Sequence, residues 1–283
     1  MIREFLKSTV AVLPLLFVAG CGNSATNNAA VTVVETVTAG EIAPNQSTTD
    51  SNTNPKTAET PTNCKIPVVA LDPGHNGEVI AEIDTKTGIA MRDYPNGAED
   101  SDAMAVSKKV KKALEDKGYK VILLKESITD SVSYRERVNR AEKAGADIGI
   151  SIHTYTDDHR VFPQRVGLFR EGQSSNGETL RVTFTNAKTA DQSLAMAEKF
   201  ATIRSETEGR TVSVSDNSFD GRAPLWSGNI PVISLISETV PWVYNEFGMN
   251  GGGGANPLGD AGITLYSKSL AKSTEAALPI SCR

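Results

Sequence analysis

The stretch Val68-Val69-Ala70-Leu71-Asp72-Pro73-Gly74-His75-Asn76-Gly77 decides how the rest of the chain is read. Its apolar, β-branched start is the pattern of a buried strand, and Asp-Pro-Gly stops it at once. His75 follows that stop, on a loop at the strand's carboxyl end, the edge where open α/β sheets collect ligands and reacting groups. Taken alone, His75 is a metal ligand, a catalytic base or a histidine that caps a turn.

Beyond a long glycine-containing loop, Asn76 to Ala98, a helix opens near Glu99 and stops at Gly118, with Ala103, Val106, Val110, Ala113 and Leu114 at helical spacing. Glu99 falls on the centre line of that apolar stripe, where a carboxylate needs a partner. Lys120–Leu124 is a strand, Ser133–Ala144 a charged helix, and Asp147–Ile152 a strand that ends at His153. Ile148, Ile150 and Ile152 alternate onto one face, so His153 shares the other with Gly149 and Ser151. Two further strands, Gly167–Arg170 and Leu180–Phe184, flank a turn around Ser174 to Glu178. Asp191–Ser205 is a helix, and Val232–Ser237 is an apolar strand ending at Glu238. A Gly251–Gly254 loop precedes a closing helix, Thr264–Leu278. This alternation predicts an α/β fold: a three-layer sandwich with a mostly parallel central sheet flanked by helices.

Composition narrows the class. The 283 residues are 39% hydrophobic and carry a formal net charge of −5, so a core of ordinary size is available and a nucleic-acid partner is disfavoured. Residues 1–20 have a basic start, a short apolar run and the box Val18-Ala19-Gly20-Cys21, the layout of a lipoprotein-type signal peptide with Cys21 as the lipidated residue. Residues 21–63, rich in Asn, Thr, Ser and Ala, read as a flexible tether, and 64–283 as the catalytic domain. The expected location is the cell envelope, membrane-anchored and facing the wall. There Cys64 and Cys282, at the two ends of the folded region, are expected to form a disulfide, worth about 4 to 5 kcal/mol in a chain-entropy account.

His75, His153 and Glu238 thus lie just past separate strands, and Glu99 opens a helix on its buried side. Two imidazoles and one carboxylate form a catalytic zinc set of the His2Glu kind, which leaves one position for water. Hydrolysis also needs a base beside the metal, and Glu238 is the candidate. His159, in Asp157-Asp158-His159-Arg160, reads as solvated.

Leu71-Asp72-Pro73-Gly74-His75-Asn76-Gly77, Glu99 heading a helix, Ser151-Ile152-His153 and Glu238-Thr239 after an apolar strand together resemble the zinc-dependent N-acetylmuramoyl-L-alanine amidases. Those enzymes cut the amide between the lactyl group of muramic acid and the first L-alanine of the peptidoglycan stem. The resemblance implies zinc on His75, Glu99 and His153, catalysis by Glu238, and peptidoglycan or muropeptides as substrate. The family usually has Gly where this chain has Asn76, and Asn where it has Tyr155. The family's proline precedes its catalytic glutamate by five residues, whereas Pro231 precedes Glu238 by seven, a departure that makes Glu246 the fallback. Arg222 is a candidate partner for a stem-peptide carboxylate, while Trp226 and Trp242 either floor a groove or pack. Two other readings have the same fold: a non-catalytic peptidoglycan-binding lipoprotein and a zinc peptidase that cuts within the stem.

Overall fold

In a computed structural model of the chain, residues 64–216 and 227–282 are described, all within the compact unit Thr57–Arg283. The signal peptide, Cys21, the tether, Arg222 and Trp226 lie outside the described residues.

The decisive stretch forms β2 (Val68–Pro73), preceded by β1 (Cys64–Lys65). The loop expected after His75 contains a hairpin, β3 (Ile80–Ile83) and β4 (Ala90–Asp93), in antiparallel register. Asp84 makes its turn by accepting hydrogen bonds from the backbone N–H and hydroxyl of Thr87, and Gly88 takes the left-handed conformation that closes it. Then come α1 (Ala98–Glu115), β5 (Lys120–Leu123), α2 (Tyr134–Lys143), β6 (Ile148–Thr154) and β7 (His159–Pro163). The expected hairpin is β8 (Phe169–Gln173) and β9 (Thr179–Thr183). The chain continues through α3 (Ala187–Glu208), β10 (Ser213–Val214), β11 (Ser227–Gly228), α4 (Val232–Ile236), β12 (Trp242–Phe247), α5 (Gly259–Ala277) and β13 (Ser281–Cys282).

The main sheet has the order β10-β7-β12-β6-β2-β5, and every pairing except β12 with β7 is parallel. Alternation along the strands divides the core in two. Val69, Leu71, Ile148, Ile150, Ile152, Val243 and Phe247 pack with α1, α3 and α5 residues such as Val106, Phe200 and Leu270. Ala70, Phe162, Trp242 and Tyr244 face α2 and α4 through Val138, Ala141, Ile233 and Ile236. The fold is therefore the predicted three-layer α/β sandwich. At its rim β1 pairs with β13, and the Cys64–Cys282 disulfide joins them.

One sequence expectation changes, and one open alternative closes. Val232–Ile236 is a short helix and not a strand, with all five side chains buried. The strand lies further on, in β12, whose six residues are all buried. Trp242 packs and does not floor a groove: its indole N–H donates to Ser151 Oγ at 2.8 Å, and its ring lies over Gly149. A Cβ on Gly149 would come within 2.2 Å of that ring. Gly149→Ala is expected to cost about 3 kcal/mol through overpacking, measured as a lowered urea midpoint with an unchanged denaturant slope.

Candidate metal centre

Three side chains from distant parts of the chain meet at the carboxyl edge of the sheet. His75 leaves β2 on a loop that Gly74 ties to β6 by donating its N–H to the Ile152 carbonyl at 3.1 Å. The His75 N–H donates to Asp100 Oδ1 at 3.1 Å, and its carbonyl accepts from buried Lys125. His153 is in the last turn of the β6 pleat, its ring stacked on Tyr244 at 4.4 Å between centroids. No Cβ fits at Gly74, because the His153 ring occupies that space. Glu99 sits in the first turn of α1 and accepts the Thr154 N–H at 3.0 Å. Its Oε1 lies 3.0 Å from His153 Nδ1 and its Oε2 3.5 Å from His75 Nε2. One donor atom from each of the three lies within 4.8 Å of the others.

The electrostatics suit a cation. Around His75, the buried carboxylates Asp72, Asp93, Glu99 and Asp100 face two buried cations, Arg137 and Lys125. With His75 neutral, the form that binds metal, negative charge exceeds positive by two, which one divalent ion balances. Burial pushes the His75 imidazole down, but its contacts with Asp93 and Glu99 outweigh burial and push its pKa up to about 10. Burial raises the Glu99 carboxyl, yet the two imidazoles hold it well below the usual range. His153 is lowered, first by burial, and a neutral imidazole is the ligating form. Two imidazoles and a carboxylate, with His75 also hydrogen-bonded to Asp93 through Nδ1 at 2.8 Å, fit a zinc-type ion.

The family model for N-acetylmuramoyl-L-alanine amidases of the Amidase_3 type matches residues 69–219, more than half of the chain. The chain belongs to this amidase family. Among solved structures it is similar to Cwp6 from Clostridium difficile (12% identity, 76% of this chain and 30% of that one, TM-score 0.46). It is also similar to the catalytic domain of CwlV, an amidase from Bacillus (Paenibacillus) polymyxa (19%, 76% and 100%, 0.47). A third similar structure is the amidase Ami1 from Mycobacterium smegmatis (18%, 75% and 96%, 0.49). Among curated protein sequences, none matches the chain.

The matched segment of this amidase holds His75, Glu99 and His153 but ends before either candidate base. Glu238 precedes β12, at the amino edge of the sheet, whereas His153 lies near the carboxyl end of the parallel strand β6. Glu238 is exposed and its carbonyl accepts from Asn186 Nδ2 and Thr189 Oγ1 at 2.9 and 2.7 Å. The expected strand that was to carry Glu238 to the metal is α4, so Glu238 stays at the far edge. Glu246 is the residue in register with His153 on the adjacent strand, on the same face and buried. The sequence did contain a signal for it: Pro241 precedes Glu246 by five residues, the family's spacing.

His159 is half-buried at the head of β7 and not solvated. Its Nε2 accepts from Arg210 at 2.9 Å, and its ring meets Phe247 edge-on. It lines a cleft of about 440 Å³ with Tyr155, Asp157, Arg160 and Thr211, and His75, Glu99 and His153 are not among the lining residues. Tyr155 is 61% exposed. Sequence reasoning missed Asp93, which the β3–β4 hairpin delivers to His75.

Proposed function

We propose that this protein hydrolyses the amide between the lactyl group of N-acetylmuramic acid and L-alanine in peptidoglycan, with zinc on His75, Glu99 and His153 and with Glu246 as the catalytic base. The observation that carries the reading is the convergence of three donor atoms within 4.8 Å at a sheet edge, with Glu246 in register beside His153. A bound zinc ion supplies Lewis-acid polarisation of the scissile carbonyl and acidifies water. The rest of the chemistry belongs to the chain. Glu246 takes a proton from the attacking water as the C–O bond forms, then gives it to the nitrogen as the C–N bond breaks. Tyr244 donates its hydroxyl to Glu246 Oε1 at 3.3 Å and stacks on His153, so one ring aligns base and ligand. The products are a lactyl carboxylate and a stem peptide with a free L-alanine amine.

The same proposal takes residues 1–20 as a lipoprotein-type signal, Cys21 as the lipid anchor, 21–63 as the tether and 64–283 as the catalytic domain, acting in wall remodelling or turnover. The Cys64–Cys282 disulfide supports an exported location. No helix among the described residues is long and apolar enough to cross a membrane. The test is digestion of purified peptidoglycan by the zinc-loaded protein, read by mass spectrometry of the released material. Intact stem peptides with new L-alanine amino termini are expected, and a chelator should abolish their release. Cuts within the stem would make it a peptidase, and binding without release a wall-binding lipoprotein.

A further inference from the structure

We infer that Asp93, clamped by Asn76 and Arg137, is a positioning residue that sets the affinity of the site for its metal. The inference rests on the metal reading above. Asp93 Oδ1 accepts the His75 Nδ1–H at 2.8 Å. That bond orients the ring and keeps Nδ1 protonated, so Nε2, 3.5 Å from Glu99 Oε2, is the nitrogen available to a metal. Asp93 is itself held on its other oxygen by Asn76 Nδ2 at 2.9 Å and by an Arg137 guanidinium nitrogen at 3.2 Å. Asn76 is fully buried and its Oδ1 accepts from the Val132 N–H at 2.8 Å and from Arg137 at 2.7 Å. Arg137 also donates to Asp72 at 2.9 Å and to the Val132 carbonyl at 2.9 Å. The asparagine that stands where the family usually has glycine therefore has a task. It completes the clamp on a carboxylate that arrives 17 residues later from the β3–β4 hairpin.

A carboxylate on the far nitrogen of a ligating imidazole raises its basicity and orients its ring, and losing such a partner typically weakens metal binding 10–100-fold. Zinc dissociation constants should be measured by competition with a chromophoric chelator for wild type, Asp93→Ala, Asp93→Asn, Asn76→Gly and the Asn76→Gly/Asp93→Ala double variant. Asp93→Asn keeps the side chain's volume, so it reports on charge even if Asp93→Ala folds poorly. Zinc binding should weaken roughly 10–100-fold in both Asp93 variants. The double variant should bind no more weakly than Asp93→Ala, because Asn76 acts through Asp93. A merely structural role would lower thermal stability without moving the zinc constant. Zinc affinity within twofold of wild type in folded Asp93→Asn would overturn the inference while leaving the metal reading intact. If wild type itself bound no zinc, the metal reading would fall and the inference with it.

Discussion

Replacing Glu246 by glutamine is expected to leave zinc bound and to lower kcat by roughly 10²–10⁴-fold, a barrier increase of about 3 to 5 kcal/mol. Glutamine keeps the shape of the side chain and its place in β12 opposite His153, so packing is disturbed little. What it loses is the ability to accept a proton from water and return it to the leaving nitrogen. KM should change little, because the interaction lost belongs to the transition state. The paired control is Glu238→Ala. That side chain is exposed on the segment before β12, and its backbone carbonyl, which survives the substitution, makes the contacts to Asn186 and Thr189. Activity within about twofold of wild type is expected there, as for most exposed substitutions. The measurement is zinc stoichiometry alongside turnover on soluble muropeptide. A Glu246→Gln protein that turns over normally, beside a dead Glu238→Ala, would reverse the assignment.

The difference between these two glutamates shows where the sequence is informative. His75, Glu99 and His153 each stand at a boundary between a regular apolar run and a polar segment, so periodicity alone places them at element ends. Val232–Ile236 carries no such period. Four apolar residues around one serine suit a buried strand and a buried helical turn equally, and the choice is made by packing against α2 and β12. The strand β12 is hidden for the converse reason. It is buried on both faces yet contains Asn245 and Glu246, which break the apolar run that marks a central strand. Asn245 is tolerated there because its side chain bonds Arg204 and the Ser151 and Val243 carbonyls. Asp93 had no local signal at all. It is one acid in a polar stretch, and only the hairpin turn at Asp84–Gly88 brings it back to His75.

Glu99→Ala should remove both activity and the stabilisation that zinc confers, and the second effect can be read without any substrate. An ion that binds only the folded state at a thousandfold excess over its dissociation constant adds about 4 kcal/mol. For a domain of this size that is a rise in Tm of roughly 8–16 °C. Glu99 is the carboxylate that faces both imidazoles, with Oε1 3.0 Å from His153 and Oε2 3.5 Å from His75. Without it two ligands remain, and the excess of buried negative charge falls by one. The zinc-dependent rise in Tm should then disappear. The wild-type shift should also depend on pH in a defined direction. In the metal-free protein the His75 imidazole is pushed up to about 10 against burial by Asp93 and Glu99. Such a raised group stabilises the metal-free fold fully below its unfolded pKa of about 6.5, and that contribution is lost as pH climbs toward 10. The same proton competes with the metal, so zinc binding releases it and the apparent dissociation constant falls about tenfold per pH unit over that range. Both effects have one sign: at fixed free zinc, the gap in Tm between zinc-loaded and metal-free protein widens from pH 6.5 to pH 9. A gap that narrows with rising pH, or one that survives in Glu99→Ala, would mean that zinc acts on this fold at some other place than the His75, Glu99 and His153 cluster.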